Sequence, residues 1–278
     1  MHTAARATKV LMLAAALALG AGASAEEAKP VSRNADMSVR EITTDLFKAK
    51  PGERLDLSGK NLAYLDLSGL NFKGAKLARS DLYGVDFTHA NLRGTDLSHT
   101  RLDRAVLIRA DLAGANLSGA TLLRPTIYSD LSNNTADAPH FSGANLTGVR
   151  LLADLSGADF HGADLTDADL SPQEARASRG STTSLAGTVL KGCDFARAIL
   201  HATNLESAKL TFARFTGADL KGANLARTDL SRADLTDADL TGADLTGANL
   251  DGATLLRVKG LDTVKGLSTA LNFDRTIR

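Results

Sequence analysis

The segment from Ala218 to Leu255 reads ADLKG ANLAR TDLSR ADLTD ADLTG ADLTG ANLDG ATL, with a period of five. Leu recurs at 220, 225, 230, 235, 240, 245, 250 and 255, and Ala or Thr stands two residues before each. Repetition at a fixed period constrains a fold more than any local propensity does. Neither the helical period of about 3.6 nor the strand period of about 2 accommodates it. A five-residue unit can instead form one side of a square coil, a short extended piece followed by a turn, with four units closing about twenty residues. The central apolar residue and the small residue two before it would point into the column. Phe72, Phe87, Phe141, Phe160, Phe195 and Phe215 all fall at the centre. Gly59, Gly74, Gly94, Gly119, Gly162, Gly222 and Gly247 fall two after it, where a turn with positive φ would favour glycine.

The unit recurs in register from Leu57 to Ile127, Phe141 to Leu151, Leu155 to Leu170 and Leu185 to Leu255. That is about 37 units. The pattern A(D/N)LXX resembles the pentapeptide-repeat family. The resemblance implies an all-β fold, a right-handed quadrilateral parallel β-helix or β-solenoid. The family is defined by architecture and serves unrelated roles. Certain relatives act as DNA mimics on a DNA topoisomerase, and in some the far end of the rod is where two copies dimerise.

The chain has 278 residues, no Trp and 4% aromatic residues. That would be unusual for a globular core but suits stacked Leu layers. Residues 1–25 have the layout of a cleavable signal peptide. Arg6 and Lys9 precede the apolar run Val10 to Leu19, and Ala23-Ser24-Ala25 forms a small-x-small cleavage site before Glu26. The run is too short to span a bilayer, and no later segment is apolar enough to do so. A periplasmic or secreted mature protein is expected. Removing 1–25 takes away two of 32 basic residues and none of 32 acidic ones, leaving a net charge of −2. That balance suits neither nucleic-acid binding nor a strongly acidic DNA mimic.

Residues 26–52 read as a linker followed by a capping helix. Ser38-Val39-Arg40-Glu41 fits a capping box, Val39, Ile42, Leu46 and Phe47 share one expected face, and Pro51-Gly52 ends the helix. The solenoid is expected over 53–257, with inserts near 128–138 and 171–182. Leu55, Leu65 and Leu70 replace the small residue in the first units, as a widened coil fitted to a cap would require. The step from Leu151 to Leu155 is one residue short. Leu170 and Leu185 keep the same phase across the second insert, so an extruded loop and two degenerate units both satisfy it. Beyond Leu255, Val258-Lys-Gly-Leu261 is echoed by Val264-Lys-Gly-Leu267, and 258–278 should close the far end as a short helix or irregular coil.

The sequence points to no catalytic residue, metal site or cofactor. Asp219 and Asp239 should stack one coil apart, but the repeat supplies Asp at that position throughout, where it serves the turn. The five residues His89, His99, His140, His161 and His201 occupy non-inward positions. The single cysteine, Cys193, lies at an inward small position, as a buried structural thiol would. Asp154 to Asp169 carries five acids and no base, whereas the first array is slightly basic. There Arg104 and Arg124 share a column, His89 and Arg109 form another, and Arg101 is nearby, with Asp103 and Asp111 as neighbours. With Tyr128 in the adjoining insert, Arg101, Arg104, Arg109 and Arg124 form the candidate surface for an unidentified protein partner. The expected function is that of a non-enzymatic, exported scaffold for protein–protein interaction. The alternative is a DNA mimic acting on a topoisomerase, which requires a cytoplasmic protein.

Overall fold

The computed structural model describes residues 35–50, 52–128, 135–170 and 188–278. The signal-peptide segment, Pro51, the middle of the first insert and all of the second lie outside the described residues, as does the unit at Leu185.

Each pentad begins with an extended residue that bridges in parallel to its counterparts one coil away. Asp81, for instance, bridges both Asn61 and Arg101. The next residue points inward, and its carbonyl accepts the amide three residues on, as Leu82 does from Val85. That closes a turn whose third residue adopts positive φ, +64° at Gly84. The Asp or Asn ahead of the centre uses Oδ1 to accept the amide two residues on, as Asp96 does from Ser98 at 3.1 Å. The abundance of Asp is therefore accounted for by the turn itself.

Four columns of bridges run along the coil. Side A passes through Asp56, Lys76, Asp96, Asn116, Asn145, Asp164, Ile199, Asp219, Asp239 and Lys259. Side B starts at Asn61, side C at Asp66 and side D at Asn71. The central residues of all four sides are buried in one continuous core, from Leu57 to Leu255. Ten rungs on side A, at about 4.8 Å per step, make a ladder of ~43 Å.

The departures from twenty residues per coil are local. Asp111 lies under His140, so that coil uses 29 residues, and His140 lies under Asp159, so the next uses 19. The missing residue removes part of a corner. There the bridges lengthen into two paired three-residue strands, β1 (Thr121–Leu123) and β2 (Arg150–Leu152). Asp154 then pairs with Val189, 35 residues on, and twenty-residue spacing resumes with Val189 and Lys209. The phenylalanine column of side D crosses this long coil without disturbance. Phe160 and Phe195 stack at 5.0 Å and 11°, as Phe195 and Phe215 do at 5.0 Å and 5°. The choice between an extruded loop and two degenerate units, both of which satisfy the phase of Leu170 and Leu185, falls on residues outside the described ones.

The first coil is capped by α1 (Val39–Lys48). The Ser38–Glu41 capping box is complete, with Glu41 Oε2 accepting from the Ser38 amide at 2.7 Å and from its hydroxyl at 2.8 Å. Ile42 and Leu46 are buried in the core, and Val39, Leu55, Leu65 and Leu70 pack half-buried against that same core. Lys73 donates to the Leu46 carbonyl at 2.7 Å, satisfying the helix C-terminus from side D. Phe47 departs from the expected face, being 87% exposed. At about 100° per residue, the stripe through Ile42, Leu46 and Ala49 leaves Phe47 more than a right angle away. The end of a square column is narrow and takes one ridge of the helix.

At the far end the ladder continues beyond the pentads. Asp239 pairs with Lys259, Asp244 with Lys265, Asn249 with Leu271 and Thr254 with Ile277. Successive sides are now six residues long, accommodated by 3-10 turns at Leu267–Thr269 and Phe273–Arg275. The echoed Val-Lys-Gly-Leu motif is the sequence form of that change. Gly260 and Gly266 occupy what would be central positions, and Val258, Leu261, Val264, Leu267, Ala270 and Phe273 lie half-buried on the core.

Polar residues at inward small positions find partners in most cases. The Thr100 and Thr228 hydroxyls donate to Leu97 and Leu225 carbonyls at 2.6 Å, and Ser80 donates to Leu57 at 2.8 Å. Thr95 is fully buried, and its hydroxyl has no partner among the described residues. An orphaned buried hydroxyl costs about 1–3 kcal/mol. Thr95→Ala, which installs the commonest residue of the repeat, should raise the melting temperature. Thr100→Ala, which removes a satisfied hydroxyl, should not, and thermal melts of the two variants compare them.

Candidate interaction surface

The residues singled out by the sequence lie on two neighbouring sides. Arg101, Arg104 and Arg124 belong to side B and its trailing corner, whereas Arg109 and Tyr128 belong to side C. The column of Arg104 and Arg124 is present: each donates its amide to the next coil, Arg104 to Leu123 and Arg124 to Leu152. Both are exposed at positive φ, +58° and +54°, a region that L-residues with long side chains rarely occupy. His89 and Arg109 stack likewise at the C–D corner, where His89 donates to Ile108.

The carboxylates that offset these arginines differ from those expected. Arg101 forms a two-pronged pair with Asp81, one coil below, at 3.0 and 2.6 Å. Arg109 Nε donates to Asp137, an almost fully buried carboxylate, at 2.8 Å. Asp111 is engaged by Arg93 at 2.8 Å, and Asp103 accepts the Leu123 amide at 3.0 Å. The Arg109–Asp137 pair closes the first excursion, because the Asp137 carbonyl also accepts the Arg109 amide. Tyr128 is half-buried, and its hydroxyl lies 3.2 Å from both Asp154 Oδ1 and the Ser156 carbonyl. Burial, with Asp154 beside it, pushes its phenol up to about 12. Arg109 and Tyr128 thus hold the edge of the excursion, while Arg104 and Arg124 face outward.

Two aromatic residues that the sequence reading passed over complete side B. Tyr64 is 57% exposed and meets Tyr83 edge-on at 5.4 Å. The Arg101 guanidinium lies 4.8 Å from the Tyr83 ring centre. The Tyr64 ring covers Gly84, where a Cβ would approach it to 2.9 Å. Tyr64, Gly84, Arg104 and Arg124 share one corner in successive coils. Twenty-residue spacing between Tyr64, Gly84 and Arg104 was the available signal.

The other groups weighed from the sequence are structural. Asp219 and Asp239 do stack, and Lys221 lies between them at 3.1 and 3.4 Å. Asp239 is held below the usual carboxylate range by the Thr241 hydroxyl first, then by the Thr241 amide and Lys221. Its stabilising interactions are present above the ordinary carboxylate range and are lost as pH falls through the lowered native value. Lys221→Met should move the Asp239 titration upward, read by NMR of the carboxyl carbon. The Cys193 thiol is buried and lies 3.1 Å from the Leu155 carbonyl, and burial pushes its pKa up. His161 and His201 lie on sides D and A, respectively. Among the described residues no group of three His, Cys, Asp or Glu side chains could hold a metal ion. No described helix is long and apolar enough to cross a membrane.

A four-sided parallel coil with a buried Leu/Phe column and Asx turns at its corners defines a class of repeat solenoid. The Pentapeptide repeats family matches in eight copies, over residues 56–94, 86–122, 140–171, 183–222 and 213–252. The chain belongs to that family, and its fold is the right-handed quadrilateral β-helix. HetL, a pentapeptide repeat protein involved in heterocyst differentiation regulation in Nostoc sp. strain PCC 7120, is 26% identical. The match covers 87% of this chain and 94% of HetL, with a TM-score of 0.48. A trypsin-treated variant of QnrB1, a plasmid-mediated fluoroquinolone resistance protein, is 18% identical over 74% of this chain and 89% of its own, with a TM-score of 0.53. That likeness is one of fold. No curated protein matches the chain.

Proposed function

We propose that this protein is an exported, non-enzymatic scaffold that binds a protein partner through side B of its first array. The observation that carries the reading is the surface row of exposed Tyr64, Arg104 and Arg124 beside the half-buried Tyr83 and Arg101. Tyr and Arg are the residue types most enriched at binding hot spots. A regular coil otherwise repeats the same small polar surface from layer to layer. Export rests on Arg6, Lys9, the apolar run and the Ala23-Ser24-Ala25 site. The near-neutral mature charge and that leader favour this reading over a DNA mimic acting on a topoisomerase in the cytoplasm. The half-buried layer of Val258, Leu261, Val264, Leu267, Ala270 and Phe273 supports a homodimer through the far end. No nucleic-acid partner is proposed.

Affinity capture with the chain beginning at Glu26, against extract of its native compartment, tests the surface. The parent should retain a partner that a Tyr64→Ser, Arg104→Ala, Arg124→Ala variant loses while keeping its circular dichroism. Retention at parental affinity would move the binding surface elsewhere. N-terminal sequencing of natively expressed protein tests export: a mature chain starting at Glu26 supports it, and a cytoplasmic chain retaining Met1 refutes it.

A further inference from the structure

Side A of the first four coils carries a second surface feature, distinct from the Tyr64–Arg124 corner. A shallow trough of about 530 Å³ runs across Ser58, Gly59, Ala78, Arg79, Ser98, His99, Asn116 and Ser118. Its floor consists of small residues that follow the column centres, and Gly59 and Gly119 keep its ends low. Arg79 and His99 rise along one edge in successive coils, with the Arg79 amide donating to Ser98. Both sit at positive φ, +61° and +55°, where glycine would be easier. The His99 ring lies across Gly119, whose added Cβ would fall 2.5 Å from Nδ1. That glycine lets the imidazole lie along the wall.

The Arg79–His99 edge of the trough is rich in donors. Arg79 offers a guanidinium fork, His99 an imidazole N–H, and Ser98 and Ser118 hydroxyls on separate coils, whereas the Ser58 hydroxyl is engaged by Asp56. Among the described residues no carboxylate pairs with Arg79 or His99. On the opposite rim, Asp56 and Asp96 are bound to their own turns. Asp56 Oδ1 accepts the Ser58 amide at 3.0 Å, and Asp96 Oδ1 accepts the Ser98 amide and the Asn116 side-chain amide, both at 3.1 Å. Lys76 stands between those two acids in the bridge column. Donors at successive steps of about 4.8 Å suit an acceptor that presents oxygens in several directions. A guanidinium is well matched to such an oxyanion.

We propose that this trough binds a tetrahedral oxyanion of the phosphate or sulfate type, with Arg79 and His99 as its principal contacts and the Ser98 and Ser118 hydroxyls as secondary ones. The site does not depend on the proposed partner surface. The test is a ¹H–¹⁵N NMR titration of the chain beginning at Glu26, with inorganic phosphate, sulfate, acetate and chloride at constant ionic strength. Phosphate and sulfate should give saturable shifts centred on Arg79, Ser98, His99 and Ser118. Acetate and chloride should give weaker ones. Losing a hydrogen bond to a charged group costs about 1.5–3 kcal/mol, so Arg79→Gln should weaken phosphate binding about tenfold or more. His99→Gln should weaken it less. Arg197→Gln, at an exposed corner of a distant coil, should leave it unchanged. No saturable shift at the trough, or equal loss in Arg79→Gln and Arg197→Gln, would overturn the assignment. Saturation by phosphate alone would restrict the site to phosphates, and equal response to acetate would contradict the tetrahedral preference.

Discussion

Leu230→Asp is expected to abolish cooperative folding of the C-terminal coils at neutral pH. Leu230 is fully buried on side C, in the column of centres that also includes Leu210 and Leu250. Truncating a buried Leu to Ala costs about 2–5 kcal/mol, and an aspartate there also places an unpaired carboxylate among apolar neighbours. The combined cost reaches the order of the total stability of an ordinary domain, about 5–15 kcal/mol. A solenoid is held mainly by neighbouring coils, so protection of backbone amides should fall first around coils 210–255 and persist nearer α1. Thr236→Ala is the control. Thr236 stands one after a centre, on the outside, and loses only its bond to Asp234. Thermal melts and amide exchange of the two variants separate the outcomes. Similar melting of both would mean that the inward and outward assignment of the pentad is wrong.

Gly266→Ala should cost about 2–4 kcal/mol by chemical denaturation, the sum of left-handed strain and overpacking. Gly266 has φ +69°, and an added Cβ would lie 2.5 Å from Thr246 Cα and 2.6 Å from its amide nitrogen. These are backbone atoms of the coil below, which cannot rotate away as a side chain can. Gly222→Ala isolates the conformational part, since Gly222 has φ +64° but nothing within 4 Å of the added atom. The Gly266 variant should therefore lose clearly more stability than the Gly222 variant. Equal losses would show that the last coil does not close against Thr246.

The core was legible in the sequence because burial and period coincide. Every Phe assigned to a centre between Phe72 and Phe215 is fully buried, and the first-unit leucines pack half-buried on the core that also includes Ile42 and Leu46 of α1. Other features depend on the coil as a whole. Phe47 is apolar, but at about 100° per residue it lies more than a right angle from the buried stripe of α1, and the column end covers that stripe alone. The six-residue repeat at the far end was visible as an echo. That it prolongs the ladder follows only from Lys259, Lys265, Leu271 and Ile277 bridging the coil below. Several ion pairs had a readable signal, because Asp81–Arg101, Asp194–Arg214 and Asp237–Arg257 are each twenty residues apart. Arg109 and Asp137 had none, since an excursion of unknown length separates them. The Arg104–Arg124 corner shows in the twenty-residue spacing of like residues, whereas Tyr64 and Tyr83 occupy different positions of their pentads and meet only through the fold.

The central claim is that one uninterrupted column runs from Asp56 to Ile277, with Val189 following directly on Asp154. Cysteine cross-linking in a Cys193→Ala background tests that register. Stacked residues about one coil step apart fall within the Cα separation of about 4.4–6.8 Å that a disulfide requires. Asp154→Cys with Val189→Cys should form an intramolecular disulfide under mild oxidation and keep the parental circular dichroism. Asp154→Cys with Glu174→Cys, the pair that an unbroken twenty-residue coil would stack, should not. Efficient cross-linking of 154 to 174, and none of 154 to 189, would contradict the account.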